Sequence, residues 1–166
     1  ADILDGIRHG RIFVSTGDLI STADITVSGG SNTVTGIGET LVATGGEVTI
    51  TVRVTDPAGT NHNGDSPALN RIDIIGGEIQ GLLPGMPSYR NTTARVLKRF
   101  ARSEFRQQGE QIEVSLRLAN LSDNYYLRVR GTNSDEAEPA PDLPTENPWQ
   151  DLWFYTNPVF VTVSEN

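Results

Sequence analysis

Between Glu47 and Thr55 the side chains alternate without a break: Val48, Ile50, Val52 and Val54 are aliphatic, and Thr49, Thr51, Arg53 and Thr55 between them are polar. A strand turns successive side chains to opposite faces, whereas a helix returns to one face only every three or four residues. Only a strand therefore gathers all four aliphatics on one side. Burying them contributes about 1.5–3 kcal/mol each, so this face demands a second apolar layer. The same alternation returns at Gln111–Ala119, where Ile112, Val114, Leu116 and Leu118 share a face. It returns again at Asn124–Asn133, where Tyr125, Leu127 and Val129 oppose Tyr126, Arg128 and Arg130.

Shorter stretches fit around these three. Arg11–Ser15, Ala23–Ser28 with Ile25 and Val27, and Arg71–Ile75 with Ile72 and Ile74 read as strands. Thr33–Thr44 is glycine-interrupted and reads as an irregular edge strand. Thr92–Phe105 reads as one long twisted strand or two short ones, and Trp153–Val163 as a final strand with Pro158 marking a bulge or an edge. Gly76-Gly77 is expected to break or bulge its strand, and Gln107–Glu110 to form a hairpin turn. Leu121–Tyr125 resembles a tyrosine corner at a strand start. Before all of these, Asp2–His9 is expected to form one or two helical turns. Ile3, Leu4 and Ile7 lie on one side and Gly10 acts as the stop. A helix this short is marginal alone and should lean on something. The expected fold is an all-β immunoglobulin or fibronectin-III-like sandwich of eight or nine strands with a short N-terminal helix.

A chain of 166 residues fits one domain large enough to bury a core without covalent staples. Residues 1–22 are expected to form a linker helix and strand, and residues 23–166 the sandwich. Cysteine is absent, which excludes a disulfide framework, a thiolate metal site and a cysteine nucleophile. The net charge of −8 disfavours general nucleic-acid or anionic-membrane binding. No apolar run approaches the roughly 20 residues that span a bilayer.

Several constellations have two readings. Asp56, Asn61, Asn63 and Asp65 bring short oxygen-bearing side chains close together in sequence, as a hard cation such as calcium requires. The same residue types are ordinary turn formers, and the spacing does not follow an EF-hand, so turn chemistry is the favoured reading. His9 and His62 are the only histidines, so a three-histidine zinc site is excluded. The basic run Arg90–Arg106 suits either an anion or a solvated sheet face opposite the acidic, proline-rich segment 134–151, and the second reading is favoured. Trp149, Trp153 and Tyr155 suit a ligand platform of the kind that binds glycans, or core and interface anchors. No nucleophile elbow or phosphate loop occurs.

Four stretches taken in order resemble one family. They are Ile7-Arg8-His9-Gly10-Arg11-Ile12-Phe13-Val14-Ser15-Thr16-Gly17, then Asn63–Pro67 running into Arg71–Glu78, then Asn124–Thr132, and finally Pro148–Val161. They are similar to the region that follows the catalytic barrel in bacterial PHP-type (polymerase and histidinol phosphatase-like) metal-dependent phosphoesterases. The resemblance implies a parent hydrolase whose barrel carries divalent metals on His, Asp and Glu. Those histidine-rich motifs have no counterpart here, so no catalytic residue carries over and no cofactor is required of this chain. The implied role is a non-catalytic accessory domain that packs against its own catalytic domain or shapes access to it. Many such proteins are exported, which leans the expected location towards the periplasm or beyond. A glycan- or surface-ligand-binding module is the alternative.

Overall fold

A computed structural model describes residues 2–30, 33–82, 84–85, 87, 90–135, 147 and 149–164. It opens with helix α1 (Asp2–Arg8) and continues with β1 (Phe13–Ser15), β2 (Thr22–Gly29), β3 (Val34–Thr35), β4 (Thr40–Thr44) and β5 (Val48–Thr55). Then come β6 (Arg71–Glu78), β7 (Arg95–Ala101), a 3-10 turn (Arg102–Glu104), β8 (Arg106–Gln108) and β9 (Gln111–Leu118). The chain closes with β10 (Tyr125–Thr132), β11 (Trp153–Thr156) and β12 (Val159–Ser164). Among the described residues twelve strands thus stand where eight or nine were expected. Part of the excess is short edge segments, β3 and β8. Part is one strand position split in two: Asn157-Pro158 interrupts the last strand, and the halves β11 and β12 pair with opposite ends of β10. Proline has no N–H to donate to a ladder. Thr156 Oγ1 fills the gap by accepting the Val129 backbone N–H at 3.0 Å.

The strands form two sheets. One runs β3-β2-β5-β9-β8. In the other, β10 is central, with β6 and then β7 on one side and the β11/β12 pair on the other. Beyond that pair β1 lies antiparallel to β11, and β4 lies parallel to β12. Taken in chain order, β2, β5, β8 and β9 occupy the A, B, D and E positions of an immunoglobulin sandwich, and β6, β10 and β11/β12 occupy C, F and G. The expected architecture is therefore the observed one.

The alternating faces meet as anticipated. Ile25, Val27, Ile50, Val52, Ile112 and Val114 line one sheet; Ile72, Ile74, Leu127, Val129, Phe154 and Val161 line the other, and all are buried. Tyr125 stands at the start of β10 and lays its ring over Gly76, where a Cβ would come within 2.6 Å of that ring. Gly76 and Gly77 do not break β6, which runs on to Glu78; the irregularity against β7 falls between Ile74 and Ile75.

In the N-terminal region the strand part of residues 1–22 departs from the expected linker role, and the helix stands apart. Residues 13–22 join the sandwich, because Phe13–Ser15 pairs with β11 and Leu19 and Ile20 are buried in the core. Helix α1 does not rest its apolar side on the sandwich: Ile3, Leu4 and Ile7 are 81%, 62% and 56% exposed. It is held at its C-terminal end instead. Asn157 Nδ2 donates to Gly10 O at 3.1 Å, and the backbone of His9 and Gly10 packs so closely on Gly38 (φ +82°) that no side chain fits there.

Candidate functional site: the outer face of the seven-stranded sheet

Strand register decides what meets on the face turned away from the core. The pairings Arg99↔Asp73, Asp73↔Arg130 and Arg130↔Tyr155 place these four residues in one row across β7, β6, β10 and β11. The next row holds Ala101, Arg71, Thr132 and Trp153. Residues directly opposite in a ladder lie within side-chain reach, so three arginines, one aspartate and two aromatics share one patch.

Asp73 is the hub. It is 1% exposed. Its Oδ1 accepts from Arg99 Nε at 2.8 Å, and its Oδ2 from Arg99 Nη2 at 3.2 Å and Arg130 Nε at 3.1 Å. Arg130 Nη2 lies a further 3.1 Å from Oδ2. Burial pushes the Asp73 carboxyl up, but the hydrogen bonds and charges of Arg99 and Arg130 outweigh it and hold the carboxyl below its ordinary value. Arg71 is treated differently. It is 5% exposed, its Nε is 3.7 Å from Asp73 Oδ1, and among the described residues neither Nε nor Nη2 makes a hydrogen bond. Burial, with the neighbouring Arg99 and Arg130 charges, moves its pKa down against the pull of Asp73 and Asp135.

Trp153 backs the cluster. The Arg71 and Arg130 guanidinium carbons lie 5.4 and 5.2 Å from its ring centroid, within cation–π range. Its Nε1 donates to Asp151 Oδ1 at 2.6 Å, and the Tyr155 ring stacks beside it at 5.8 Å. Trp153 is 6% exposed and Trp149 is half-buried against the core, while Tyr155 remains exposed. The three residues expected as a platform thus do not present two open indoles. One indole lies under guanidinia and the other is part of the core wall.

The oxygen-rich loop behaves as a turn. Asn61 Oδ1 accepts the backbone N–H groups of Asn63 and Asp65, both at 3.0 Å, and Asn61 Nδ2 donates to Gly17 O. Asn63 Nδ2 donates to Asp65 Oδ2 at 2.6 Å, and Asp56 Oδ2 accepts from Leu69 N at 3.0 Å. These oxygens are committed to holding the chain. Burial raises the Asp56 carboxyl above its ordinary value, partly offset by the Leu69 hydrogen bond. Among the described residues, no three His, Cys, Asp or Glu side chains are grouped as a metal site would need. Among the described residues, no helix is long and apolar enough to cross a membrane.

The basic run finds its partners locally. Arg99 bonds Asp73, Lys98 donates to Glu104, Arg106 lies near Glu113 and Arg102 donates to Leu69 O. Of the acidic segment it was expected to face, Asp135 accepts from Asn70, and residues 136–146 and 148 lie outside the described residues. Sequence reasoning missed the Arg71–Asp73–Arg130 grouping. The available signal was parity: Arg71 and Asp73 alternate with Ile72 and Ile74, and Arg130 alternates with Val129, so all three had to leave the core on the same side. Comparison with protein-family models, with curated proteins and with solved structures found no match.

Proposed function

We propose that this chain is a non-catalytic sandwich module that packs on a catalytic domain, of the PHP-type phosphoesterase class that its sequence resembles, and shapes access to that domain. The observation that supports this reading is the bare side of α1. Three aliphatic side chains face solvent on a seven-residue helix tied to the sandwich only at its end. Such a helix is weak in water by itself, and clustered exposed aliphatics are the composition of an interface. The outer-face cluster fits a supporting role as well. Asp73, the carboxylate a reaction would use, is closed to solvent and bound by two guanidinia.

The test has two parts. The coding sequence upstream of Ala1 is read first; the proposal requires a PHP-type barrel there and fails without one. The full protein is then compared with a version lacking residues 13–164 and with an Ile3→Asp, Leu4→Asp, Ile7→Asp version. Loss of barrel stability, or a changed rate on bulky but not on small phosphodiesters, is expected in both. Unchanged melting and unchanged rates in both refute the proposal.

A further inference from the structure

The acceptors on the outer face do not match the donors. A carboxylate offers about four lone-pair positions, and Arg99 and Arg130 bring four N–H-bearing nitrogens to Asp73. Arg71 Nε stands 3.7 Å from Oδ1, outside hydrogen-bond range, and among the described residues its Nε and Nη2 make no hydrogen bond although the residue is only 5% exposed. Buried guanidinia are ordinarily paired, since an unsatisfied buried donor is costly. Three guanidinia share one contacting carboxylate, and Asp135 acts on Arg71 from a greater distance. Asp135 Oδ1 is held by Asn70 Nδ2 at 2.7 Å; Asp151 is engaged by the Trp153 indole. The same ring that backs Arg71 backs Arg130.

We propose that the Arg71–Arg130–Trp153 cluster on the outer face is an oxyanion site, taking a phosphate or carboxylate group on the free Nε and Nη2 of Arg71. The guanidinium fork matches two oxygens of such a group, and charge-assisted pairs of this kind are the strong ones. The Trp153 ring lies within cation–π range of Arg71, and Asp73 fixes Arg130 beside it. The proposal is independent of the docking role of α1, and its failure would leave that reading untouched.

The chain contains two tryptophans, so Trp149→Phe leaves Trp153 as the single fluorescent reporter. Titration of that protein with inorganic phosphate, and separately with acetate, at constant ionic strength is expected to change Trp153 emission to saturation. Chloride at equal ionic strength should not. Arg71→Met is expected to weaken the response by at least about tenfold, the loss of one charge-assisted pair; Arg71→Lys tests the fork if the methionine variant does not fold. A linear response, equal responses to chloride and phosphate, or a response unchanged in whichever Arg71 variant folds overturns the proposal. A last arm separates a free anion from the chain's own acids. In a version carrying Glu136→Gln, Glu138→Gln, Asp142→Asn and Glu146→Gln, unchanged phosphate affinity supports a free ligand. Phosphate binding that appears only in that version overturns it.

Discussion

Replacing Asp73 by asparagine keeps the shape of the side chain and removes its charge. The amide presents one acceptor oxygen and one NH2 group, so at least one guanidinium must face a donor instead of an acceptor. Arg130 is 13% exposed and cannot recover its hydration, whereas Arg99, at 41%, turns into solvent at little cost. Breaking a buried ion pair by removing one partner costs about 3–5 kcal/mol, and the freedom of Arg99 places Asp73→Asn at about 3 kcal/mol. For a chain of this size that is a fall of roughly 6–12 °C in Tm. The assay is urea unfolding of both proteins from pH 7 down to about pH 2. The sign follows from the lowered carboxyl of the folded state. Its stabilising contribution is complete above the ordinary carboxylate range, near pH 4, and disappears as pH falls through the lower value that the fold imposes. The gap between the two proteins should therefore close in strong acid. A difference under about 1 kcal/mol at pH 7, or one equally large at both ends of the range, refutes the hub assignment.

Three further outcomes are expected. Gly131→Ala should destabilise the protein by more than the usual surface change, because the new Cβ would sit 2.7 Å from Arg71 O and against the Phe154 ring; about 2 kcal/mol or more in urea unfolding is expected from overpacking. Ile3→Asp, Leu4→Asp and Ile7→Asp in the isolated chain should each shift stability by less than about 0.5 kcal/mol, since all three are exposed; a larger loss would mean the helix packs on the sandwich in solution. Asp56→Asn should be neutral or mildly stabilising at pH 7. The raised carboxyl makes the wild type lose stability as pH climbs through its folded value, and the amide escapes that loss while still accepting from Leu69 N. Flatter stability against pH in the variant, measured by thermal melting, checks this.

The inner half of this molecule was legible because one period decides it. Val48 to Val54, Ile112 to Leu118 and Tyr125 to Val129 alternate strictly, and a slip of one residue would turn each set to solvent. The two-layer class followed from that pattern; the strand order came only with the paired registers. The broken final strand was half-legible, since Pro158 announced an interruption but not that its two halves would embrace one neighbour. The short N-terminal helix was legible as well, but local periodicity shows which of its sides is apolar, not what covers it. The outer face was illegible for a different reason. Asp73 meets Arg99 and Arg130 only through two strand registers, which join residues 26 and 57 positions apart, while Arg71 is its neighbour two places back on β6. The basic run Arg90–Arg106 was visible as charge, but not that Arg99 would meet Asp73 on the neighbouring strand. Parity would have predicted that Arg71, Asp73 and Arg130 share a face. Only the paired registers add that the carboxylate's hydrogen bonds go to two of the three arginines, with Arg71 Nε left 3.7 Å from Oδ1.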